Sequence, residues 1–257
     1  VLLPVPALEL DDGLRVDARI AIAADGGRST LRELAGIGAD TEDYGQQGVV
    51  AYVATAHPHE DTAWQRFLPT GPLAFLPCAP WPDAPHVSSI VWTMPDAEAA
   101  RVVALADAAF AEELTRAFAS RLGDCRPLTG RIAFPLRRQL AKAYIAGRLL
   151  AIGDAAHVVH PLAGQGVNLG LRDVSALRDA IASAQTKRND WAAAHRLARW
   201  ARARRSDATA SAHAFGAINR VFSNDDLVAT LLRGHALGIA GKLAPFNRAL
   251  WRHAAGV

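Results

Sequence analysis

Two stretches of the sequence combine residue types able to do chemistry together. The longer reads Gly153-Asp154-Ala155-Ala156-His157, then Pro161-Leu162-Ala163-Gly164-Gln165-Gly166-Val167-Asn168-Leu169-Gly170, then Asp173 and Leu177. Residues 148–152 before it read as a buried strand. That strand delivers Asp154 to its carboxyl edge, where α/β sheets bind ligands. A carboxylate there accepts hydrogen bonds from sugar-like hydroxyls. Gly164 and Gly166 let a flat ligand come close to the backbone. The helix expected over 167–184 turns its free N–H groups and positive dipole end toward the same place, so a group that becomes negative there is stabilised.

The second stretch is Ala24-Asp25-Gly26-Gly27-Arg28-Ser29-Thr30-Leu31-Arg32. A short buried strand over 18–24 ends in the Asp25-Gly26-Gly27 turn, Ser29 caps a helix, and the helix runs through 34. A lone Gly-Asp pair is explained by a tight strand-to-helix connection. The long string around Asp154 exceeds what that connection requires.

The elements that must position these stretches follow from pattern. Between them lie short β-branched or aromatic runs at 48–56, 64–68, 73–78 and 86–93, punctuated by Gly and Pro, as in an antiparallel sheet. From 96 to about 122 the pattern turns helical, with Leu105, Phe110, Leu114 and Phe118 on one face. Strand signals return at 130–136, and the chain from 189 onward reads as helical. The fold class is therefore α/β (α+β), a nucleotide-binding part interrupted by an antiparallel β-sheet domain and followed by a helical end. The domains are placed at 1–40 with 126–185, at 41–125, and at 186–257.

Composition excludes several classes. With 257 residues, 51% hydrophobic and 21% charged, the chain has the balance of a globular protein with a real core, and not of a disordered tail. A net charge of only +3 makes nucleic acid an unexpected partner. Two cysteines, Cys78 and Cys125, suit a reducing compartment and give neither a disulfide framework nor a zinc site. His57-Pro58-His59-Glu60-Asp61 reads as a solvated turn, because a Pro-containing loop lacks rigid ligand spacing, and no metal site is assigned. His157 and His160 read as histidines capping the loop that they flank. Arg196, Arg199, Arg202, Arg204 and Arg205 crowd one helix. They read as a solvated face, with Trp191, Leu197 and Trp200 turned inward; contact with acidic lipid headgroups is the sharper alternative. No G-x-S-x-G elbow, H-E-x-x-H or G-x-x-x-x-G-K-[ST] loop is present.

The Asp154 string resembles the flavin-proximal "GD" motif of class A FAD-dependent aromatic monooxygenases, the para-hydroxybenzoate hydroxylase-like group. It is most similar to the ubiquinone-biosynthesis hydroxylase family. The Asp25 stretch resembles the same group's "DG" motif. Tyr44-Gly45-Gln46, residues 63–77, Phe134-Pro135-Leu136, and Arg204-Arg205 through Phe222-Ser223-Asn224-Asp225 also look like that family, so the resemblance covers nearly the whole chain. One feature departs from it. The family begins with a strand and a G-x-G-x-x-G turn for the ADP half of FAD. Here Gly164, Gly166 and Gly170 are spaced one residue too wide, and Gly36-Ile37-Gly38 lacks the third glycine. With Val1 instead of Met at its start, the chain looks like the carboxy-terminal two-thirds of a hydroxylase, carrying half of an FAD site.

The resemblance implies roles residue by residue. Asp154 contacts the flavin ribityl chain, and Pro161 sits near the reacting face of the ring. The backbone of Gly164, Gln165, Gly166, Val167 and Asn168 wraps the pyrimidine edge. Asp25 lies toward the pyrophosphate or ribose, with Ser29 and Arg32 holding its loop. The implied reaction is FAD-dependent hydroxylation of a polyprenylated phenol or benzoquinol ring in ubiquinone biosynthesis, using NAD(P)H or another electron donor and O₂. The cofactor does the hard step, so no catalytic acid or base is assigned. The β-sheet domain would floor the pocket for the aromatic or quinol-precursor substrate, with Trp64, Phe67, Phe75 and Trp92 either lining it or forming core. The resemblance also implies a cytoplasmic protein at the inner membrane face, with membrane or biosynthetic-complex contact and homo-oligomerisation among its partners. The alternatives are another class A hydroxylase acting on a small aromatic, and a non-catalytic fragment that binds no FAD alone.

Overall fold

The computed structural model describes residues 7–159 and 165–222. In chain order the strands are β1 (Ala7–Glu9), β2 (Arg15–Asp17), β3 (Ala21–Ala23), β4 (Ala39–Thr55), β5 (Trp64–Leu68), β6 (Gly71–Cys78), β7 (Val87–Pro95), β8 (Cys125–Pro127), β9 (Ile132–Ala141), β10 (Ile145–Ala146), β11 (Leu149–Ala151) and β12 (His157–Val158). The helices are α1 (Thr30–Leu34), α2 (Asp96–Ala104), α3 (Asp107–Ala117), α4 (Gln165–Thr186) and α5 (Ala194–Phe222). A 3₁₀ turn covers Gly153–Ala155. Among the described residues the chain divides into two compact units, one containing 7–42, 137–159 and 165–216, the other 43–136 and 217–222.

In the second unit the strands alternate. Val49, Ala51 and Val53 of β4 are buried, whereas Tyr52 between them is 40% exposed. One face of the sheet therefore packs inward and the other meets water. β4 pairs antiparallel with β7, β7 with β6, and β6 with β5, while β8 adds to the end of β4. The buried face joins Leu73, Phe75, Ile90 and Trp92 to Val102 of α2 and to Phe110 and Leu114 of α3. The rings of Phe75 and Phe118 lie 4.2 Å apart. Gly71 is required by its backbone: φ is +141°, and a Cβ there would stand 2.7 Å from the Thr93 carbonyl oxygen.

Two expectations are refined here. The helical stretch expected over 96–122 is two helices, α2 and α3. Leu105 and Ala106 between them are extended, at ψ 148° and 151°, and the Leu105 carbonyl accepts a 2.6 Å bond from the Arg131 guanidinium. An apolar spacing that continues across the break cannot reveal it. The strand expected at 48–56 begins earlier, at Ala39, because its first half is polar and exposed and carries no buried alternation.

The first unit is built on a small sheet in the order β10-β11-β3, with β11 parallel to β3. Its core joins Ala23, Ala151, Leu150, Tyr144 and Ala155 to Leu177 of α4 and to Leu197, Trp200, Ala201 and Ala208 of α5. Leu197 and Trp200 thus turn inward as expected. The chain passes between the units within β4, β9 and α5, at 42/43, 136/137 and 216/217. β8 and the first residues of β9 belong with the antiparallel strands. Among the described residues no helix is long and apolar enough to cross a membrane.

Candidate functional site

β3 and β11 end together. Ala23 lies opposite Ala151 in the parallel register, and the Ile152 N–H donates to the Ala23 carbonyl at 3.0 Å. The chain therefore leaves both strands at one sheet edge, once into Asp25 and once into Gly153-Asp154. This is the edge where parallel sheets bind ligands.

The Asp25 loop is tightly held. Ser29 Oγ donates to Asp25 Oδ1, the Leu31 N–H donates to Asp25 Oδ2 at 3.1 Å, and Ser29 Oγ in turn accepts the Arg32 N–H at 3.0 Å. Ser29 is thus the N-cap of α1, as expected. What little burial Asp25 has would raise its pKa; the Ser29 hydroxyl and the Leu31 N–H outweigh this and hold it below the ordinary value. Arg32 is 5% exposed. Its Nη1 donates to Gly27 O at 3.2 Å and to Ala155 O at 3.1 Å. One guanidinium therefore ties the first loop to the second. Gln139 Nε2 adds a 2.6 Å bond to the same Gly27 carbonyl.

The second loop begins at Gly153, whose φ of +55° is left-handed and suits glycine. Asp154 follows on the 3₁₀ turn. It is exposed and makes no hydrogen bond or ion pair with the described residues. Its carboxylate is free to accept from a ligand. Gly170 packs against the turn so closely that a Cβ on it would stand 3.2 Å from Gly153 Cα. Among the described residues, no atom lies within 4 Å of where a Cβ on Gly166, at the start of α4, would stand. Val167 is 72% exposed, and Asn168 is also exposed. Gln165 opens α4. Pro161, Gly164 and His160 lie outside the described residues.

The turn is anchored by a buried network. Asp173 of α4 is fully buried, and its Oδ2 accepts the Gly153 N–H at 2.9 Å and His157 Nε2 at 2.7 Å. Its Oδ1 accepts Arg204 Nε at 2.7 Å. An ionised carboxylate only accepts, so His157 carries its proton on Nε2. Burial alone would raise the Asp173 pKa. The His157 bond, the Arg204 guanidinium and the Gly153 N–H outweigh that and hold it below the ordinary carboxylate value. Arg204 also reaches Asp207 at 2.8 Å. The Tyr144 ring stacks 6.0 Å from His157, and burial followed by the Asp173 charge raises its pKa.

His157 is thus a structural histidine holding the loop. Arg204, read with the solvated arginines, is corrected: it is 8% exposed and committed to two carboxylates. Asp173 stood in the motif with no role assigned. Leu169, Asp173 and Leu177 occupy one buried helical stripe, and an acid on such a stripe demands a buried cation.

Of the aromatics considered for the pocket floor, Phe75 and Trp92 are core, at 0% and 5% exposure. Trp64 is half-buried under the Arg121 guanidinium, and Phe67 is exposed. His59 spends Nε2 on the Cys78 carbonyl and Nδ1 on the Asp61 N–H. Cys125 is buried, which raises its thiol pKa; Cys78 is half-buried, and both are free thiols.

The family model described as FAD binding domain matches residues 7–214. Ubiquinone hydroxylase UbiL of Rhodospirillum rubrum is 40% identical over 247 residues, covering 96% of this chain and 56% of that protein. The 3-demethoxyubiquinol 3-hydroxylase of Escherichia coli is 36% identical over 250 residues, covering 97% and 62%. The chain therefore spans roughly three-fifths of the length of these relatives. Among solved structures, Diels-Alderase PyrE3 superposes with a TM-score of 0.72 at 22% identity, covering 98% of this chain and 52% of that one. PqsL of Pseudomonas aeruginosa, a probable FAD-dependent monooxygenase, gives 0.69 at 24% identity, covering 84% and 60%. Both share the fold.

Proposed function

The chain belongs to the FAD binding domain family, and from that premise we propose that it is the flavin-side part of an FAD-dependent aromatic hydroxylase. The observation that carries this reading is the shared edge. Asp25 and Asp154 leave neighbouring parallel strands at the same end, and Arg32 joins their loops. The carboxylate of Asp154, without a partner among the described residues, and the space left beside Gly166 by the described residues fit a polyhydroxyl chain and a flat ring. FAD, when bound, supplies transfer of electrons from NAD(P)H to O₂ and hydroxylation of an electron-rich ring.

The protein's own residues bind and orient. Asp154 accepts hydrogen bonds from the ribityl hydroxyls. The backbone of Gly164, Gln165, Gly166, Val167 and Asn168 would hold the pyrimidine edge, where the start of α4 would stabilise negative charge. By the family resemblance, Pro161, outside the described residues, would border the reacting face. Asp25, its oxygens already shared with Ser29 and Leu31, fixes the loop on the pyrophosphate or ribose side. Arg32 and Asp173 hold the two loops in place, and orientation of the ring follows from their rigidity.

The substrate class is a polyprenylated phenol or benzoquinol on the way to ubiquinone. The names of the two relatives support this, as does their 36–40% identity along almost the whole chain. Residues 43–136 form the substrate-side sheet. The work is done in the cytoplasm, at the inner face of a membrane or within a biosynthetic assembly, by a protein able to pair with its own copies.

The test is titration of the purified chain with FAD, followed by flavin fluorescence, beside Asp154→Ala. Saturable quenching that the variant loses supports the reading. Absence of quenching in both denies this chain an autonomous flavin site and leaves catalysis to a longer protein.

A further inference from the structure

α4 and α5 pack along their buried faces but part company on the outside. A cavity of about 250 Å³ opens between them, lined by Ala176, Ala180 and Ser183 of α4 and by Arg196, Arg199, Trp200, Ala203 and Arg204 of α5. Small residues on the α4 wall and Ala203 opposite leave the space open. No Asp or Glu lines it. Arg196 and Arg199 have no ion-pair partner among the described residues. The third guanidinium is different in kind. Arg204 is 8% exposed, its Nε and Nη1 are taken by Asp173 and Asp207, and its Nη2 is buried with no hydrogen-bond partner among the described residues. A buried N–H of a charged group left unpaired is costly.

We propose that this groove binds the phosphate group of an anionic ligand. Arg196 and Arg199 form the charged mouth, Ser183 offers a hydroxyl, and Trp200 with the alanines gives an apolar wall for whatever bears the phosphate. Guanidinium forks suit a tetrahedral oxyanion because they donate two parallel hydrogen bonds. The volume suits a phosphate and a few attached atoms, not a whole cofactor. Arg196 and Arg199 lie outside the flavin-edge residues, although Arg204 at the base of the groove also pairs with Asp173, which anchors the Gly153 turn. The same chemistry is offered by a soluble phosphate ester and by a phospholipid headgroup, and the test separates the two.

The purified chain is titrated calorimetrically with inorganic phosphate, and sedimented with phosphatidylglycerol or phosphatidylcholine vesicles. Two double variants accompany it. Arg196→Ala/Arg199→Ala removes the mouth of the groove. Arg202→Ala/Arg205→Ala removes equal charge from the part of α5 that lines a different depression. Thermal melts confirm that both fold. Saturable phosphate binding, weakened at least about tenfold by the first pair and little changed by the second, supports the site and a soluble ester. Sedimentation with phosphatidylglycerol alone, lost with the first pair and kept with the second, supports the site and assigns it to a headgroup. Equal losses with both pairs overturn it in favour of diffuse attraction to a basic helix. Binding of neither phosphate nor phosphatidylglycerol overturns it outright.

Discussion

Asp173 and Arg204 meet at 2.7 Å, Oδ1 to Nε, with their side chains 0% and 10% exposed. The pair ties α4 to α5, and through its other oxygen Asp173 also holds the Gly153 N–H. Ion pairing, helix packing and the shape of the ligand-side turn are thus one construction. Breaking a buried pair on one side leaves a charge without compensation. Asp173→Ala is therefore expected to lose about 3–5 kcal/mol of stability, measured by urea unfolding, whereas replacing both partners with apolar residues costs far less.

The same carboxylate gives a pH signature. Its pKa is held below that of the unfolded chain, so its stabilisation is fully present above the ordinary carboxylate range. As pH falls through that range, the unfolded chain takes up a proton that the native state resists, and stability declines until the native carboxylate protonates. Urea midpoints between pH 7 and pH ~2 should show this acid limb. Asp173→Asn, less stable at neutral pH, should show a shallower one. An unchanged limb would remove Asp173 from the account of acid sensitivity.

Gly166 and Gly170 lie on the same helix and should respond oppositely to one methyl group. At Gly170 the added Cβ meets Gly153 Cα at 3.2 Å, so Gly170→Ala must shift the turn, and the melting temperature and FAD affinity should fall together. At Gly166 the Cβ meets no atom of the described residues, so Gly166→Ala should leave stability unchanged or raise it by up to ~1 kcal/mol through helix propensity. If the pyrimidine edge of a flavin lies there, FAD affinity should still drop. Loss of affinity without loss of stability is the outcome that marks a ligand surface.

In the β-sheet unit, Gly71→Ala is expected to be severe. Its φ of +141° is closed to alanine, and the new Cβ would lie 2.7 Å from the Thr93 carbonyl oxygen, a backbone atom that cannot swing aside. A loss of roughly 2 kcal/mol or more is expected from strain and overlap combined, read from chemical denaturation. Ser29→Ala, which removes only the cap of α1, should cost about 1 kcal/mol.

The sequence made some of this visible and concealed the rest for identifiable reasons. The two Gly/Asp turns announced themselves because glycine, a capping serine and a strand end leave local traces; Ser29 caps α1 at the expected residue. The break between α2 and α3 left none, since Leu105 and Phe110 keep the apolar rhythm while Arg131, distant in sequence, takes the Leu105 carbonyl. Arg204 among four other arginines looked like surface. Only Asp173, an acid on the Leu169 and Leu177 stripe, required a cation there, and pairing the two needs the third dimension. The first half of β4 was invisible because an exposed strand has no hydrophobic alternation to read.

β4 and β9 are neighbours in their sheet, and the chain goes out along one and comes back along the other. Everything from residue 56 to residue 131 is therefore a detour that begins and ends in adjacent strands. The distance between its ends is set by strand pairing and not by what lies between, and the entropy of closing such a loop grows only slowly with its length. The detour is thus free to be lengthened, shortened or rewritten in the course of descent, as long as its first and last strands still zip together. The loops bearing Asp25 and Asp154 lie outside it.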